Sequence, residues 1–366
     1  MPIGISRDHL ALIYTIGVFG AFLQIAGGDW DVSSHIAQAP ETFFTPQHLV
    51  LYTGIAVGLV ASGLGLLLRL FGLPKGSPAR PLLTGLTISA VGGAFQVVAG
   101  PFDFWWHDNF GFDPHLFTPS HTLLILGIVL VGFGMALGAL RLLQAHRAGI
   151  AVGTRFATTR WLELLAVVSL AALWLHLNGL VYLLTDVAGM AYTFNLGPGF
   201  VSRTGVAAFV IAVSALAATG TLVLFTAKRV LPWKGAVTAV ASLVTATVAV
   251  AVLLNYVWYF RGTPEAAAYA RYVPLHFAFL VPIVAFDVWG TEGRTRAALA
   301  WAAAIGPFVS FLDGFHGSNL WTQSPGIAML LVVPTLVVGL CAGLSRVRFA
   351  NLLSLPAGVP GVPQGS

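Results

Sequence analysis

The sequence predicts an all-α fold, a polytopic transmembrane helical bundle. Of its 366 residues, 57% are hydrophobic and only 8% are charged, whereas soluble globular domains carry about 25% charged residues. The mean hydropathy is +0.86. Apolar stretches long enough to cross a bilayer, roughly 20 residues each, recur along the whole chain. We therefore expect the lipid bilayer to be its surroundings.

Ten such spans are predicted, and the charges between them indicate their orientation. Of the 18 basic residues, 15 fall in loops on one side of the spans and three on the other. Basic residues concentrate in cytoplasmic loops, so both the N and C termini are expected in the cytoplasm. The first span lacks a basic start and a cleavage site, so it is interpreted as a retained helix. The spans cover about residues 9–27, 47–70, 82–101, 119–142, 161–185, 204–226, 235–258, 273–290, 298–316 and 325–345.

Two other classes of protein do not fit this composition. The sequence pI of about 9.6 could indicate a nucleic-acid partner, but the basic residues lie in short loops between apolar spans, which is typical of membrane orientation. The single cysteine, Cys341, excludes a disulfide framework or a cysteine-rich metal site. We expect no nucleic acid among the partners.

One pattern of polar residues occurs twice in the first 145 residues. Each copy has an Asp, three residues, a His, then twelve or thirteen residues and a second His that ends a Phe-Thr-Pro-x-His run. The two Asp lie 72 residues apart, which indicates duplication of a two-helix unit, an internal repeat. The first copy is Asp31, His35 and His48, and the second is Asp103, His107 and His121.

The spacing in each copy predicts a metal site. An Asp and a His four residues apart lie on one face of a helix. The second His enters from the next span, after a Pro suited to the first helical turn and a Thr (Thr45, Thr118) that can cap that turn. One carboxylate and two imidazoles suit copper, zinc or ferrous iron. The alternative is an Asp–His hydrogen bond that only ties helix ends, but the matched flanks of the two copies favour a metal.

The order and separation of these two sets resemble the C subunit of the copper membrane monooxygenases, the family of particulate methane and ammonia monooxygenases. The resemblance covers about residues 10–145. Asp31, His35 and His48 match the family's Asp-His-His copper site in type and spacing. Asp103, His107 and His121 match its Asn-His-His site, except that Asp103 replaces the Asn. The extra negative charge should bind a divalent cation more tightly and alter its redox behaviour.

The resemblance implies a copper-binding membrane protein, a monooxygenase-like oxidoreductase subunit that activates dioxygen at an intramembrane copper. It also implies a small apolar substrate and either other membrane subunits or a homo-oligomer. Zinc or iron is less favoured than copper. Two alternatives stay open, namely copper or zinc transport or storage without catalysis, and a scaffold in which the Asp and His residues tie helix ends together. We expect a prokaryotic cytoplasmic (inner) membrane, with the metal sites toward the outer face.

The rest of the chain has weaker signals. Residues 146–350 are predicted to form a second transmembrane half with degenerate repeats, in which Asn178 and Tyr182, and then Asn255 and Tyr259, keep a four-residue step near helix ends. Residues 351–366 are predicted to be a disordered tail. Four further histidines are candidates for a part in the site or its surroundings: His115, His176, His276 and His316.

Overall fold

The described part of the chain is helical, and the computed structural model has no strand within it. It comprises residues 7–36, 39–40, 42–73, 77, 79–111, 115–150, 157–261, 277, 280–289 and 325–355. The all-α prediction is confirmed for these residues. The helices are α1 (Arg7–Ile36), α2 (Pro46–Leu67), α3 (Thr84–Phe110), α4 (Pro119–Arg147), α5 (Thr159–Thr185), α6 (Val187–Thr193), α7 (Pro198–Val230), α8 (Ala236–Asn255), α9 (Leu280–Trp289) and α10 (Pro325–Leu352).

Seven helices in the described residues are long and apolar enough to cross a membrane. They correspond to the first seven predicted spans, so the chain is an integral membrane protein. Helix α9 covers ten residues of the eighth predicted span, and α10 covers the tenth with 28 residues. The ninth, 298–316, lies outside the described residues. The count of ten and the cytoplasmic termini stay predictions.

Helices α1 to α4 form a four-helix bundle in which neighbouring helices run antiparallel. Each of the four packs against the two beside it. Gly17 of α1 faces Met135 of α4, and Gly93 of α3 faces Leu59 of α2. Because the chain reverses at every connection, the ends of α1 and α3 and the starts of α2 and α4 lie together at one end of the bundle.

Glycines bring the paired helices of this bundle unusually close. A Cβ atom on Gly54 of α2 would overlap the backbone nitrogen of Gln24 in α1, and one on Gly127 of α4 would lie 2.7 Å from the carbonyl oxygen of Gly92 in α3. Small residues at helix interfaces allow backbones in a membrane to approach this closely. The close approach keeps the start of α2 beside the end of α1, and the start of α4 beside the end of α3.

The second half of the chain packs against this bundle. Helix α5 contacts α4 and α1, α8 contacts α1 and α5, and α7 contacts α5 and α10. Buried side chains of both halves, such as Leu140 of α4, Leu170 of α5 and Val237 of α8, belong to one apolar core. The second half therefore shares its core with the helices that carry the Asp and His pattern.

The residues that follow α10 bond to the last turns of α4, at the end of the bundle where α4 finishes. Arg141 Nε donates a hydrogen bond of 3.0 Å to the carbonyl oxygen of Ser354. The backbone N–H of Leu355 donates one of 2.8 Å to Gln144 Oε1. Of the tail predicted from residue 351, residues 356–366 lie outside the described residues.

Candidate metal centre

Both Asp-x3-His pairs lie in the last turns of a long helix. Hydropathy predicted that the first and third spans end near residues 27 and 101. Helix α1 instead continues to Ile36, and α3 continues to Phe110. Asp31 and His35 thus lie on the final turns of α1, and the corresponding Asp and His of the second copy on the final turns of α3. The one-turn spacing places each pair on one helix face, as predicted.

The second histidine of each copy is the third residue of the next helix. His48 follows Pro46 at the start of α2, and His121 follows Pro119 at the start of α4. The predicted cap by Thr118 is confirmed, since its hydroxyl oxygen accepts the N–H of His121 at 3.3 Å. The same prediction for Thr45 was wrong. Its hydroxyl donates to the carbonyl oxygen of Thr42, and it makes no side-chain cap.

The second copy gathers into one cluster, which we name the second triad (Asp103, His107, His121). Asp103 Oδ1 lies 3.6 Å from His107 Nε2 and 3.3 Å from His121 Nε2. One ligand atom from each residue lies within 4.8 Å of the other two. Among the described residues, this is the one group of three such side chains close enough to hold a metal ion.

The first copy also comes together but in a more open arrangement, which we name the first triad (Asp31, His35, His48). His48 Nε2 lies 3.1 Å from Asp31 Oδ1, whereas His35 Nε2 lies 3.7 Å from Asp31 Oδ2. The two imidazoles therefore approach opposite oxygens of the carboxylate. In the second triad both approach the same oxygen, which explains why that cluster is tighter.

Hydrogen bonds to backbone carbonyls fix three of the histidine rings, and the Nε2 atom of each faces the carboxylate of its triad. A backbone carbonyl oxygen accepts from His48 Nδ1 (Thr42, 2.9 Å), His107 Nδ1 (Gly111, 3.2 Å) and His121 Nδ1 (His115, 3.3 Å). A carbonyl can only accept, so each Nδ1 carries a proton, and in a neutral ring Nε2 then presents a lone pair. Anchoring one ring nitrogen to a carbonyl is typical of metal-ligating histidine.

The carboxylate oxygens give the same indication. Asp31 Oδ1 and Asp103 Oδ1 are both buried, and histidine Nε2 atoms lie 3.1 Å from the first and 3.3 and 3.6 Å from the second. A carboxylate oxygen buried in an apolar bundle is costly unless a hydrogen-bond donor or a cation balances it. A lone pair on Nε2 facing a carboxylate oxygen is repulsive unless a proton or a metal cation lies between them. The residues present therefore fit a bound cation.

The two triads are neighbours. The rings of His35 and His121 meet edge to face with centroids 6.2 Å apart, because α1 and α4 are adjacent and antiparallel. A second contact between the two copies is made by Phe43 and Phe104, whose ring centroids lie 5.5 Å apart. It joins the loop before α2 to the last turns of α3. The sequence pattern predicted two sites but contained no indication of this proximity.

The remaining histidine candidates are placed differently. His176 lies in α5, where its Nδ1 bonds to the carbonyl of Ala172 in the same helix and its ring packs against Gly132 of α4. His115 contributes to the second triad through its backbone carbonyl. His276 and His316 lie outside the described residues.

The sequence analysis did not predict the groups that orient the candidate ligands. Most are backbone carbonyls, which any residue can supply. Gly111 is the exception that had a signal. It adopts φ +79° directly after α3, a conformation that favours glycine, and its N–H and carbonyl both bond back to His107. A glycine four residues after a candidate ligand on a helix could have indicated this return.

No protein-family model matches the chain. No curated protein and no solved structure matches it either. The resemblance to the copper membrane monooxygenases therefore depends on the two triads, their order and their separation.

Proposed function

We propose that this protein is a copper-binding integral membrane protein, a monooxygenase-like oxidoreductase subunit that activates dioxygen at an intramembrane copper. The observation that carries the proposal is the second triad. One ligand atom from each of its two histidines and its buried aspartate lies within 4.8 Å of the other two. The first triad, with the same residue types, lies directly beside it.

The donor set supports a transition metal rather than a harder cation. Calcium and magnesium prefer six or more oxygen ligands, whereas each triad offers two nitrogens and one carboxylate. Imidazole and carboxylate ligands suit copper, zinc and ferrous iron alike, so the donor set does not choose among them. The spacing shared with the copper membrane monooxygenases is what favours copper.

The chain's own residues would bind and orient the ion and exclude water around it. Asp31 and Asp103 supply the negative charge, and the carbonyl-anchored histidines hold the ligand nitrogens in place. Phe43 packs against Tyr52 and Phe104, and Tyr52 stacks on His48, so aromatic rings border the triads. Copper bound there would supply the one-electron chemistry that dioxygen activation needs. The aromatic border and the bilayer suit a small apolar substrate.

We place the triads toward the outer face of a prokaryotic cytoplasmic membrane. The distribution of basic residues in the sequence supports this orientation, since they are concentrated in loops at the other end of the spans.

Hydroxylation with dioxygen also needs an external reductant. We therefore propose that further membrane subunits, or further copies of this chain, complete the system.

Transport or storage of copper or zinc is the second candidate. It is favoured by the partial exposure of the second triad, where the side chains of Asp103 and His107 are 24% and 28% exposed. An ion bound there could exchange with the outside. This candidate predicts metal binding without oxygen chemistry.

Metal loading combined with oxygen uptake distinguishes these functions. Detergent-purified protein is loaded with copper or, as a redox-inert control, with zinc, and supplied with ascorbate and a short-chain alkane. We expect oxygen consumption coupled to alcohol formation with copper and none with zinc. Copper binding without coupled oxygen consumption would favour transport or storage. Failure to bind either metal would leave only the scaffold interpretation.

A further inference from the structure

We propose that the second half of the chain positions both triads. Asn255 at the end of α8 and Tyr259 in the turn after it act on the first triad, and Asp186 before α6 acts on the second. None of the three is itself a ligand. The proposal rests on the metal-binding function above and assigns a role to a half of the chain that carries no copy of the metal pattern.

Asn255 bonds to the two residues that precede ligands on α1. Trp30 Nε1 donates to Asn255 Oδ1 at 2.8 Å, and Ser34 Oγ donates to the same oxygen at 2.7 Å. Trp30 directly precedes Asp31, and Ser34 directly precedes His35. Successive residues of a helix point about 100° apart, so holding Trp30 and Ser34 against α8 fixes the direction of the two ligands.

Tyr259 does the same for the third ligand of this triad. Its hydroxyl donates to Gln47 Oε1 at 2.8 Å, and Gln47 directly precedes His48 in the first turn of α2. Each ligand of the first triad therefore follows a residue that is bonded to α8 or to the turn after it. That turn, Tyr256–Phe260, is π-helical, a geometry that is frequent near functional sites.

The two residues that accept these hydrogen bonds, Asn255 and Gln47, are buried, which makes the bonds directional constraints. Asn255 and Ser34 are each 1% exposed, and Gln47 is fully buried. Removing one partner of a buried hydrogen bond leaves the other unsatisfied in an apolar environment. The end of α1 and the start of α2 are therefore held in one rotation relative to α8.

Asp186 acts on the loop that leads into α4. Its Oδ1 accepts the N–H of Gly189 at 2.8 Å and so caps α6. Its Oδ2 accepts the N–H groups of Leu116 at 2.8 Å and Phe117 at 3.1 Å. The neighbouring carbonyl of His115 is the acceptor for His121 Nδ1. One carboxylate thus holds the segment that orients a ligand of the second triad.

Asn178 provides a matched control, because it holds the position in the Asn178–Tyr182 pair that Asn255 holds in the Asn255–Tyr259 pair. Asn178 lies near the end of α5, and its Oδ1 accepts the hydroxyl of Thr219 at 3.1 Å, within the second half of the chain. Among the described residues, no hydrogen bond joins Asn178 to the triads or to the residues beside them. An Asn178→Leu variant therefore disturbs a comparable polar contact without touching the site.

The test measures copper affinity at each triad separately, by competition with a chromophoric chelator. In an Asp103→Ala background only the first triad can bind copper, and in an Asp31→Ala background only the second can. We expect Asn255→Leu to weaken copper binding about tenfold in the first background and not in the second. Asp186→Ala should do the reverse, and Asn178→Leu should change neither. Tyr259→Phe, which removes only a hydroxyl, should weaken the first triad less than Asn255→Leu and shift its Cu(II) electron paramagnetic resonance spectrum.

The outcomes separate this proposal from the function on which it rests. If the unsubstituted protein binds no copper at either triad, the proposed function fails, and the positioning role fails with it. If it binds copper at both, equal losses at the two triads from either variant would overturn the positioning role alone. Unchanged affinity and spectrum in Tyr259→Phe and Asn255→Leu would also overturn it.

Discussion

Replacing Asp103 by Ala is expected to lower the copper content of the loaded protein from about two ions per chain to about one. Asp103 Oδ1 is the atom that both histidines of the second triad approach, at 3.6 Å and 3.3 Å. Without it, two neutral imidazoles remain and no anion balances the ion's charge. Metal analysis after removal of loosely bound copper measures the effect.

Two further substitutions make this result specific. Asp108→Ala removes an exposed carboxylate from the same turns of α3 and should leave the copper content unchanged. Asp103→Asn keeps an oxygen ligand without the charge, so we expect occupancy to be retained with affinity lowered about tenfold. Full copper content in Asp103→Ala would contradict the assignment of this residue as a ligand.

Gly54→Ala is expected both to destabilise the protein and to weaken the first triad. The added Cβ would overlap the backbone of Gln24, so α2 must move away from α1. Overpacking of this kind costs about 1–3 kcal/mol. The movement also separates His48, at the start of α2, from Asp31. We expect a lower thermal unfolding temperature in detergent and reduced copper binding in an Asp103→Ala background.

Gly63→Ala on the same helix is the matched control. A Cβ on Gly63 has nothing within 4 Å, and Ala favours a helix over Gly by up to about 1 kcal/mol. This variant should be as stable as the unsubstituted protein or slightly more stable, with full copper binding. Equal behaviour of the two variants would show that the contact between α1 and α2 does not hold the first triad together.

The sequence was sufficient to predict seven of the membrane-spanning helices and the one-turn spacing of each Asp–His pair, because both are local patterns. Apolar length predicted seven spans that the described residues contain. It placed the end of the first span near residue 27, whereas α1 continues to Ile36. The apolar stretch ends before the candidate ligands, but helical backbone hydrogen bonding continues through Asp31 and His35.

Contacts between distant segments were not predictable in the same way. The bond from Trp30 to Asn255 joins residues 225 positions apart, and no spacing rule relates them. The proximity of His35 to His121 likewise depends on how two helix hairpins pack. Even matched local sequence was insufficient for the caps, since Thr118 caps its helix whereas Thr45 bonds back to Thr42.

Anomalous diffraction from copper-loaded crystals, recorded on both sides of the copper absorption edge, tests most directly the claim that each triad binds a copper ion. We expect one copper peak among Asp31, His35 and His48, and a second among Asp103, His107 and His121. Copper located elsewhere, or six side chains that point apart with no peak between them, would contradict it.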